Sequence, residues 1–409
     1  MRNLRLLVFS PYFPPHVGGL EGYVSDLNDV LVASGKVARV TVFAPRLPPV
    51  GATLEDRGPG YRIVRYPAFE LIPNFPVPKL WRRAFWRALR STRPSEHDVF
   101  VSHTRFFLSS AFALVHARVA SRPLLHVEHG SDYVQLSGRA ARVAARLYDH
   151  VLGRLLLRHA DGVVAVSQAA AGFVRDLAGR DAVVIHRGMA VQRMHAAAAD
   201  RGVLEWARGR ELVTFVGRLI DGKGVADLLE AFAATAGERA ALCIVGDGPR
   251  RSDLEMHAQR LGISERVLFV GYVPEEQAWS IIRASDVVVN PSYTEGLPTS
   301  VLEAALLGKA VTATDVGGTR EIVTSGRGGL LFAPHDIDAL RANLTRLLGD
   351  PDLRERLGST ARMEAAGRFD WQSSAERFLD VADGLVRQGP GSQRPWIEAD
   401  SSTVSKTDS

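Results

Sequence analysis

The sequence predicts an α/β protein made of two Rossmann-like domains, each with a doubly wound parallel sheet, that face each other across a cleft. Short apolar, β-branched runs alternate with longer helical patterns from end to end, which is typical of parallel strands joined by helices. The chain has 409 residues, too many for one ordinary core. Ligands of such sheets bind beyond the carboxyl ends of the strands, so the cleft is the expected site.

Apolar runs in both halves predict the strands. In the first half they are residues 4–9, 40–43, 99–102, 124–128, 163–166 and 183–185. In the second half they are residues 212–216, 241–245, 267–270, 287–290, 310–314 and 329–332. The segment 189–210 lacks a strand signal and should contain the linker. We predict an N-terminal domain over residues 1–190, a C-terminal domain over 191–370, a helix over 371–388 returning to the N-terminal domain, and a disordered tail over 389–409.

Composition excludes several classes of protein. Arg2 and Arg5 precede only a short apolar run, so no signal peptide is visible, and no segment approaches the roughly 20 apolar residues of a membrane span. The single Cys243 excludes an intramolecular disulfide and fits the cytoplasm. No Cys/His cluster has metal-ligand spacing. The net charge of +5 is mild, and no basic stripe with stacking aromatics indicates nucleic acid.

The first strand runs into a turn that contains Gly18 and Gly19, and a helical pattern follows. Two glycines at a strand-to-helix turn let the backbone approach a phosphate closely. The competing interpretation is that they only shape the loop.

Residues 79–90 form a basic segment with aromatic residues, and nothing acidic interrupts it. On a helix, one stripe would hold Trp81, Ala84, Phe85, Ala88 and Leu89. Such a helix can lie on an anionic membrane. The alternative is that the stripe packs on the N-terminal sheet.

His129 and Gly130 follow the strand at 124–128. A histidine at the carboxyl edge of a strand can point into the cleft and donate a hydrogen bond to a substrate oxygen. A buried structural histidine is the competing interpretation.

The strand at 212–216 runs into a glycine-rich turn that carries Arg218 and Lys223. Both cations can neutralise a diphosphate and stabilise the charge that develops as it departs. The turn is not a P-loop, because neither Ser nor Thr follows Lys223. Two solvated surface cations are the alternative.

The strand at 241–245 ends in Gly246-Asp-Gly248, which begins like a dinucleotide fingerprint. Its third glycine position holds Arg251. This substitution disfavours NAD binding.

The most informative segment carries Glu295 and Glu303 on either side of a Gly-Leu-Pro-Thr-Ser turn, directly after the run 287–290. Pro298 suits the first turn of a helix, so the helix is predicted to begin there. The amides of Gly296, Leu297, Thr299 and Ser300 would then face a phosphate. Each Glu would accept hydrogen bonds from sugar or ribose hydroxyls. For the pair alone, an ordinary acidic loop with a solvated helix Glu is the favoured interpretation, and the surrounding residues change this.

Taken together, these pieces resemble the retaining family 4 glycosyltransferases of the GT-B fold, over about residues 4–385. The matching segments keep the family's order and spacing. They are Gly18-Gly19-Leu-Glu21, His129-Gly130, 160–167, Gly217-Arg218 with Lys223-Gly224, Gly246-Asp-Gly248, Gly271-Tyr-Val, Asn290-Pro-Ser with Glu295-Gly-Leu-Pro and Glu303-Ala, Asp315-Val-Gly317-Gly318 with Glu321, and Phe369-Asp-Trp371.

The resemblance implies a role for each matching residue. Glu303 would hold the ribose hydroxyls of a sugar nucleotide, and Glu295 would face the donor sugar. Arg218 and Lys223 would clamp the diphosphate together with the amides near Gly296 and Leu297. The remaining implied donor contacts are Gly18 and Gly19 at the diphosphate, His129 at the sugar, Pro298 and Thr299 at the helix start, and Gly271 and Tyr272 at the base.

The resemblance also implies the chemistry. Such enzymes are thought to retain anomeric configuration by a front-face route, in which the departing phosphate oxygen helps to deprotonate the acceptor. Protein groups then mainly position the reactants and stabilise charge, so neither a metal nor another cofactor is expected. A covalent intermediate on Glu295 is the mechanistic alternative.

One segment departs from the family pattern. Many relatives carry Val-x-x-Asn-Gly-Val-Asp after the last N-terminal strand, whereas Arg187 and Ala190 stand at the Asn and Asp positions here. The departure affects the hinge and the choice of donor, not the phosphate and ribose groups.

The sequence therefore predicts a cytoplasmic hexosyltransferase that uses a UDP- or GDP-sugar. Its N-terminal domain would bind the acceptor, a glycan or a lipid-linked glycan at the inner face of the cytoplasmic membrane, in polysaccharide or glycolipid biosynthesis. A sugar-nucleotide 2-epimerase and a non-catalytic sugar-nucleotide sensor are the alternatives.

Overall fold

The computed structural model describes residues 3–16, 18–49, 51–72, 75–134, 138–235 and 239–391. The described chain forms two α/β units, each built on a largely parallel sheet with helices on both faces. The predicted fold class is confirmed. Residues 392–409, most of the predicted tail, lie outside the described part of the chain.

The first sheet has the strand order β10-β9-β8-β7-β1-β2-β4-β3. Its strands are β1 (Leu4–Phe9), β2 (Val37–Pro45), β3 (Leu54–Gly58), β4 (Tyr61–Tyr66), β7 (Val99–His103), β8 (Leu124–Glu128), β9 (Gly162–Ala165) and β10 (Val183–Val184). All neighbouring pairs are parallel except β3 with β4, which closes one edge as an antiparallel hairpin. A separate hairpin joins β5 (Ala68–Ile72) and β6 (Phe75–Pro78).

The second sheet is parallel throughout, with the order β13-β12-β11-β14-β15-β16. Its strands are β11 (Glu211–Val216), β12 (Ala240–Val245), β13 (Val267–Gly271), β14 (Val287–Asn290), β15 (Ala310–Thr314) and β16 (Leu330–Phe332). Because β11 lies beside β14, the loops that follow these two strands emerge next to each other at one edge.

Helices connect the strands in both units. Those before residue 200 are α1 (Gly19–Ala33), α2 (Arg83–Ser91), α3 (Leu108–Ala120), α4 (Arg139–Tyr148), α5 (Arg154–His159), α6 (Gln168–Ala178) and α7 (Val191–Ala196). Those after it are α8 (Arg201–Ala207), α9 (Val225–Thr235), α10 (Arg251–Arg260), α11 (Glu275–Ala284), α12 (Thr299–Leu306), α13 (Thr319–Ile322), α14 (Ile337–Gly349), α15 (Pro351–Ala365) and α16 (Trp371–Gln388). A π-helical turn over Asp149–Gly153 joins α4 to α5.

The last helix crosses from the second unit to the first. Phe378, Ala382 and Leu385 of α16 are buried in one apolar cluster with residues of β1, β2 and α1. The other face of the first sheet is covered by α2, α3, α5 and α6. The first sheet is thus sandwiched between two helical layers, one of which α16 helps to form.

The twelve predicted strands all occur, with ends shifted by at most a few residues. The prediction omitted β3, β4, β5 and β6. In β4 the positions of Arg62 and Arg65 interrupt the apolar pattern, yet Arg65 is buried and donates a hydrogen bond to the carbonyl of Pro14. A buried arginine with a distant partner cannot be anticipated from local periodicity. In the described ranges, no helix is both long and apolar enough to cross a bilayer.

Candidate active site

Lys223 and Glu295 form an ion pair at the carboxyl edge of the second sheet. The Nζ atom of Lys223 lies 2.6 Å from Oε1 of Glu295, and the side-chain amide of Asn290 lies 3.4 Å from the same oxygen. The two residues come from the loops after β11 and β14, which are neighbouring strands. The sheet order therefore places Lys223, which is predicted to bind phosphate, in contact with Glu295, which is predicted to bind the sugar.

Close backbone contact fixes these two loops against each other. Gly224 has a positive φ of 62°, and a Cβ atom there would lie 2.1 Å from the carbonyl oxygen of Pro291. The amide of Tyr293 donates to the carbonyl of Gly222 at 2.9 Å. Only glycine at position 224 permits this approach.

The side chain of Arg218 differs from that of Lys223 in having no hydrogen-bond or ion-pair partner among the described residues. It is partly buried, and its positive charge acts on Tyr12 of the first unit. The guanidinium can therefore take an anionic ligand without first breaking an ion pair.

The helix α12 begins at Thr299, one residue later than predicted. Pro298 precedes it with an extended ψ of 107°, so its ring stands before the first turn instead of in it. A Cβ atom on Gly19 would lie 3.9 Å from Oγ1 of Thr299. The Gly19 turn of the first unit therefore faces the start of α12, as a diphosphate site between them requires.

Glu303 is buried in the second turn of α12 and accepts a hydrogen bond of 3.1 Å from the indole N–H of Trp279. Burial, with a smaller contribution from the charge of Glu275, raises the pKa of Glu303 to about 7. Among the described residues, only Oε1 of Glu303 accepts a hydrogen bond from the protein, which leaves acceptor capacity for a ligand hydroxyl.

His129 lies at the end of β8, on the opposite wall from Glu295. Its Nε2 is 3.2 Å from Nδ1 of His103, and its ring packs edge-on against Tyr23 at 4.7 Å between centroids. Burial lowers its pKa to about 3, so the imidazole is neutral. The ring nitrogen that remains for a substrate is Nδ1, and direct contact with a sugar stays a prediction.

A buried charge network supports the His129 backbone. The Oε1 atom of Glu128 accepts hydrogen bonds from the amides of His129 and Gly130 at 3.0 and 2.8 Å. Arg105 lies 3.0 Å from Glu128 and 3.1 Å from Asp149. Although burial opposes ionisation, the guanidinium of Arg105 holds the pKa of Glu128 well below its usual range.

Direct hydrogen bonds cross the cleft beside Glu295. Ser131 and Ser167 donate their hydroxyls to the backbone carbonyls of Glu295 and Gly296, at 2.5 and 2.9 Å. Glu321 accepts the amides of Gln168 and Ala169, at the start of α6, at 2.9 and 3.2 Å. It also lies 2.9 Å from Nε2 of His186. The two units are closed around residues 295 and 296.

Gly271 and Tyr272 lie at the carboxyl end of β13, on the same edge of the sheet as the other donor candidates. The side chain of Tyr272 is exposed, at 58% of its full area. A base bound there would lie at the open end of the cleft, and this contact also stays a prediction.

The segment 79–90 divides between core and surface. Phe85 and Leu89 are buried against the first sheet, whereas Trp81 is 68% exposed and Ala84 is also exposed. The prediction of one continuous stripe was wrong, because α2 begins only at Arg83 and Trp81 precedes it. The packing alternative holds for the buried half of the segment.

Several residues of the site had no signal in the sequence. Trp279, Tyr23 and Ser131 reach it through contacts between different elements, and Glu275 acts on it through its charge. Glu128 directly precedes His129, but its role in holding the His129 backbone had no signal either. Arg187 was noticed only as a departure from the family pattern that would not affect the phosphate and ribose groups. That expectation was wrong, because Arg187 is buried and donates a hydrogen bond to the carbonyl of Gly19, in the predicted diphosphate turn. Within the described ranges, no three His, Cys, Asp or Glu side chains are placed to hold a metal ion.

Two family models together match most of the chain. One described as "Glycosyl transferases group 1" matches residues 197–364, and one described as "Glycosyltransferase Family 4" matches residues 17–193. An uncharacterized glycosyltransferase of Methanocaldococcus jannaschii is 31% identical over 396 residues, covering 94% of this chain and 100% of that protein.

Solved structures show the same two-unit architecture. Sucrose-phosphate synthase from Thermosynechococcus elongatus superposes with a TM-score of 0.79 at 23% identity, covering 94% of this chain and 99% of the other. HepE of Anabaena, crystallised with UDP-glucose, gives a TM-score of 0.71 at 20% identity, covering 93% of this chain and 100% of the other.

Proposed function

Because the chain belongs to the glycosyltransferases of the group 1 and family 4 type, we propose that it transfers a hexose from a nucleotide-diphosphate sugar with retention of anomeric configuration. The GT-B fold supplies two facing units for the two substrates. The donor would lie against the second unit, and the acceptor would enter from the first.

The ion pair between Lys223 and Glu295 carries most of this proposal. It joins a cation suited to a diphosphate with a carboxylate suited to sugar hydroxyls, directly opposite His129 and the Gly19 turn. On donor binding, Lys223 would exchange one oxygen of Glu295 for a phosphate oxygen. Arg218, which has no such partner, would take the other side of the diphosphate.

The positions of residues along α12 suggest the remaining contacts with the donor. The diphosphate would lie at its first residue, facing Gly19, where free amides and the helix dipole favour negative charge. Glu303, one turn further on, would accept the ribose hydroxyls beside Trp279. Glu295 would accept a hydroxyl of the hexose.

The transfer step needs no protein nucleophile. The acceptor hydroxyl oxygen would form a bond to the anomeric carbon on the face from which the bond to the phosphate oxygen breaks. The acceptor proton would pass to the departing phosphate, and nucleoside diphosphate would leave with the electron pair of the broken bond. Arg218, Lys223 and the α12 amides would stabilise the developing charge, so no metal would be required. In the covalent alternative, Glu295 would first have to leave Lys223 and attack the anomeric carbon itself.

We further propose an acceptor that is a glycan or is linked to lipid, with peripheral attachment to the cytoplasmic face of a membrane. Trp81 is exposed beside a run of cations without acidic residues. On α4, Val143 and Leu147 are 61% and 63% exposed between arginines. Exposed apolar side chains among cations suit an anionic bilayer.

The proposed function is tested by incubating the purified chain with UDP- and GDP-hexoses, with and without membrane lipids, and measuring nucleoside diphosphate release. We expect slow release of nucleoside diphosphate from one donor by hydrolysis, and faster release when a lipid acceptor allows transfer. NMR of the transfer product gives its anomeric configuration. Formation of the 2-epimer would identify an epimerase. Binding without any turnover across the panel would identify a sensor.

A further inference from the structure

Arg187 connects the hinge between the two units to the donor-facing turn of the first. Its NH1 group donates to the carbonyl of Gly19 at 3.2 Å, and its NH2 group donates to Asp26 at 2.9 Å. The side chain is only 8% exposed. A guanidinium can make these two bonds at once because its donors form a rigid fork, which the asparagine of the family pattern cannot reproduce.

Arg187 also acts on carboxylates from both units. Asp26 lies on α1, Glu275 on α11 and Glu303 on α12, and the charge of Arg187 favours the ionised form of all three. Burial raises the pKa of each, more than Arg187 lowers it. Arg193 assists at Asp26 and Glu275, but it does not act on Glu303.

The guanidinium is not fully satisfied by the protein. Its Nε atom is buried without a hydrogen-bond partner. Arg187 lines a cavity of about 170 Å³ together with Asp26, Glu275 and Trp371. A buried donor left unpaired costs free energy unless a ligand or water satisfies it, so the Arg187 side chain retains one unused hydrogen-bond donor.

We propose that Arg187 is a positioning residue for the donor: it ties the Gly19 turn to the hinge and contributes part of the positive charge that acts on Glu303, the proposed acceptor for ribose hydroxyls. This inference rests on the proposed function, because it assigns Glu303 and the Gly19 turn to the nucleotide sugar. It adds a residue that the family pattern does not provide.

The two parts of this role respond differently to substitution. Removing the charge would raise the pKa of Glu303 further above about 7, because Glu275 and burial would then be opposed only by the hydrogen bond from Trp279. Donor binding would need a higher pH, so the donor KM at pH 7 would rise about three- to tenfold and would recover near pH 9. Losing only the fork geometry would raise KM by a similar factor at every pH.

Three variants separate these parts. Arg187→Asn removes the charge and the fork, and Arg187→Lys keeps the charge alone. Arg187→Asn combined with Asp26→Asn also removes the carboxylate that pairs directly with Arg187, so Asp26 is not left as an unpaired charge, which guards against simple misfolding. Arg193→Gln is the matched control, since Arg193 is 62% exposed in its pair with Glu276.

The measurements are donor KM from pH 6 to pH 9 and amide hydrogen exchange over residues 18–26. For the two asparagine variants we expect a KM profile that is both raised at every pH and displaced to higher pH. For Arg187→Lys we expect a raised but undisplaced profile, and in all three variants we expect faster exchange at residues 18–26. Profiles and exchange equal to wild type would overturn the inference. Amide hydrogen exchange is measured without donor, so it tests the contact of Arg187 with the Gly19 turn separately from catalysis. Absence of transfer activity in the wild-type chain would refute the proposed function but not this contact.

Discussion

The backbone carbonyl oxygen of His129 lies so close to Gly296 that a Cβ atom at position 296 would be only 1.8 Å away. His129 belongs to the first unit and Gly296 to the loop that carries Glu295, so this contact is part of the closed cleft. A side chain at position 296 would hold the two walls apart.

We therefore expect Gly296→Ala to fold but to close poorly. Transfer should fall at least about a hundredfold, because a misplacement of about 1 Å at reacting groups has that effect. Nucleoside diphosphate release measures the activity, and small-angle scattering measures closure. Gly172→Ala is the control, since nothing lies within 4 Å of a Cβ there. An active, fully closed Gly296→Ala variant would contradict the tight-contact interpretation.

The ion pair of Lys223 with Glu295 predicts coupled variants. Lys223→Ala and Glu295→Ala should each lower kcat about 10²- to 10³-fold, with little change in nucleotide affinity. The double variant should lose less than the product of the two effects, because the residues share one interaction. Single-turnover kinetics give the values, and Arg356→Ala, at an exposed position, is the control. Independent effects would show that the pair does not act as one unit.

The pKa of Glu303 predicts a pH dependence of donor binding. Because this pKa is raised to about 7, affinity for an intact nucleotide sugar should increase as pH rises from 6 to 8. Glu303→Gln should weaken binding about tenfold or more and remove the dependence. Calorimetry measures both. If the pH dependence of donor affinity persisted in Glu303→Gln, it would belong to another titrating group.

The same pKa makes a separate prediction for stability. Glu303 is ionised more easily in the unfolded chain, with its ordinary pKa of 4.5, than in the fold. Its contribution to stability is therefore fully present below about pH 4.5 and is lost as pH rises through about 7. Relative to wild type, Glu303→Gln should gain at most about 3 kcal/mol between these limits. Denaturant unfolding across this range measures the difference.

The divided segment 79–90 predicts opposite outcomes for two aromatic residues. Phe85→Ala should destabilise the first unit by about 3–5 kcal/mol, because Phe85 is fully buried. Trp81→Ser should leave stability unchanged within about 0.5 kcal/mol and reduce sedimentation with anionic vesicles. Neutral vesicles provide the control. Unaltered vesicle binding in Trp81→Ser would remove the membrane role of this segment.

Much of the fold could be predicted because its signals are local. A buried parallel strand needs a short apolar run, and the runs at 4–9 and 287–290 became β1 and β14 with unchanged bounds. The strand β4, which lies between β2 and the edge strand β3, could not be found this way, because Arg65 is buried there and donates a hydrogen bond to the carbonyl of Pro14. The helix after Pro298 was predicted within one residue.

The candidate site shows the same difference between what local sequence predicts and what only tertiary contacts decide. Residue types and spacing by themselves determined which groups are suited to a nucleotide sugar: Glu295 and Glu303 for hydroxyls, and Arg218 and Lys223 for phosphate. Tertiary structure alone decided their states, because charge and hydrogen bonding depend on distances between elements far apart in sequence. Lys223 is held by Glu295 while Arg218 is not, and the buried environment of Glu303 depends on α11 packing against α12. Arg187 shows the same limit most clearly, since its partners lie 161 and 168 positions away in the chain.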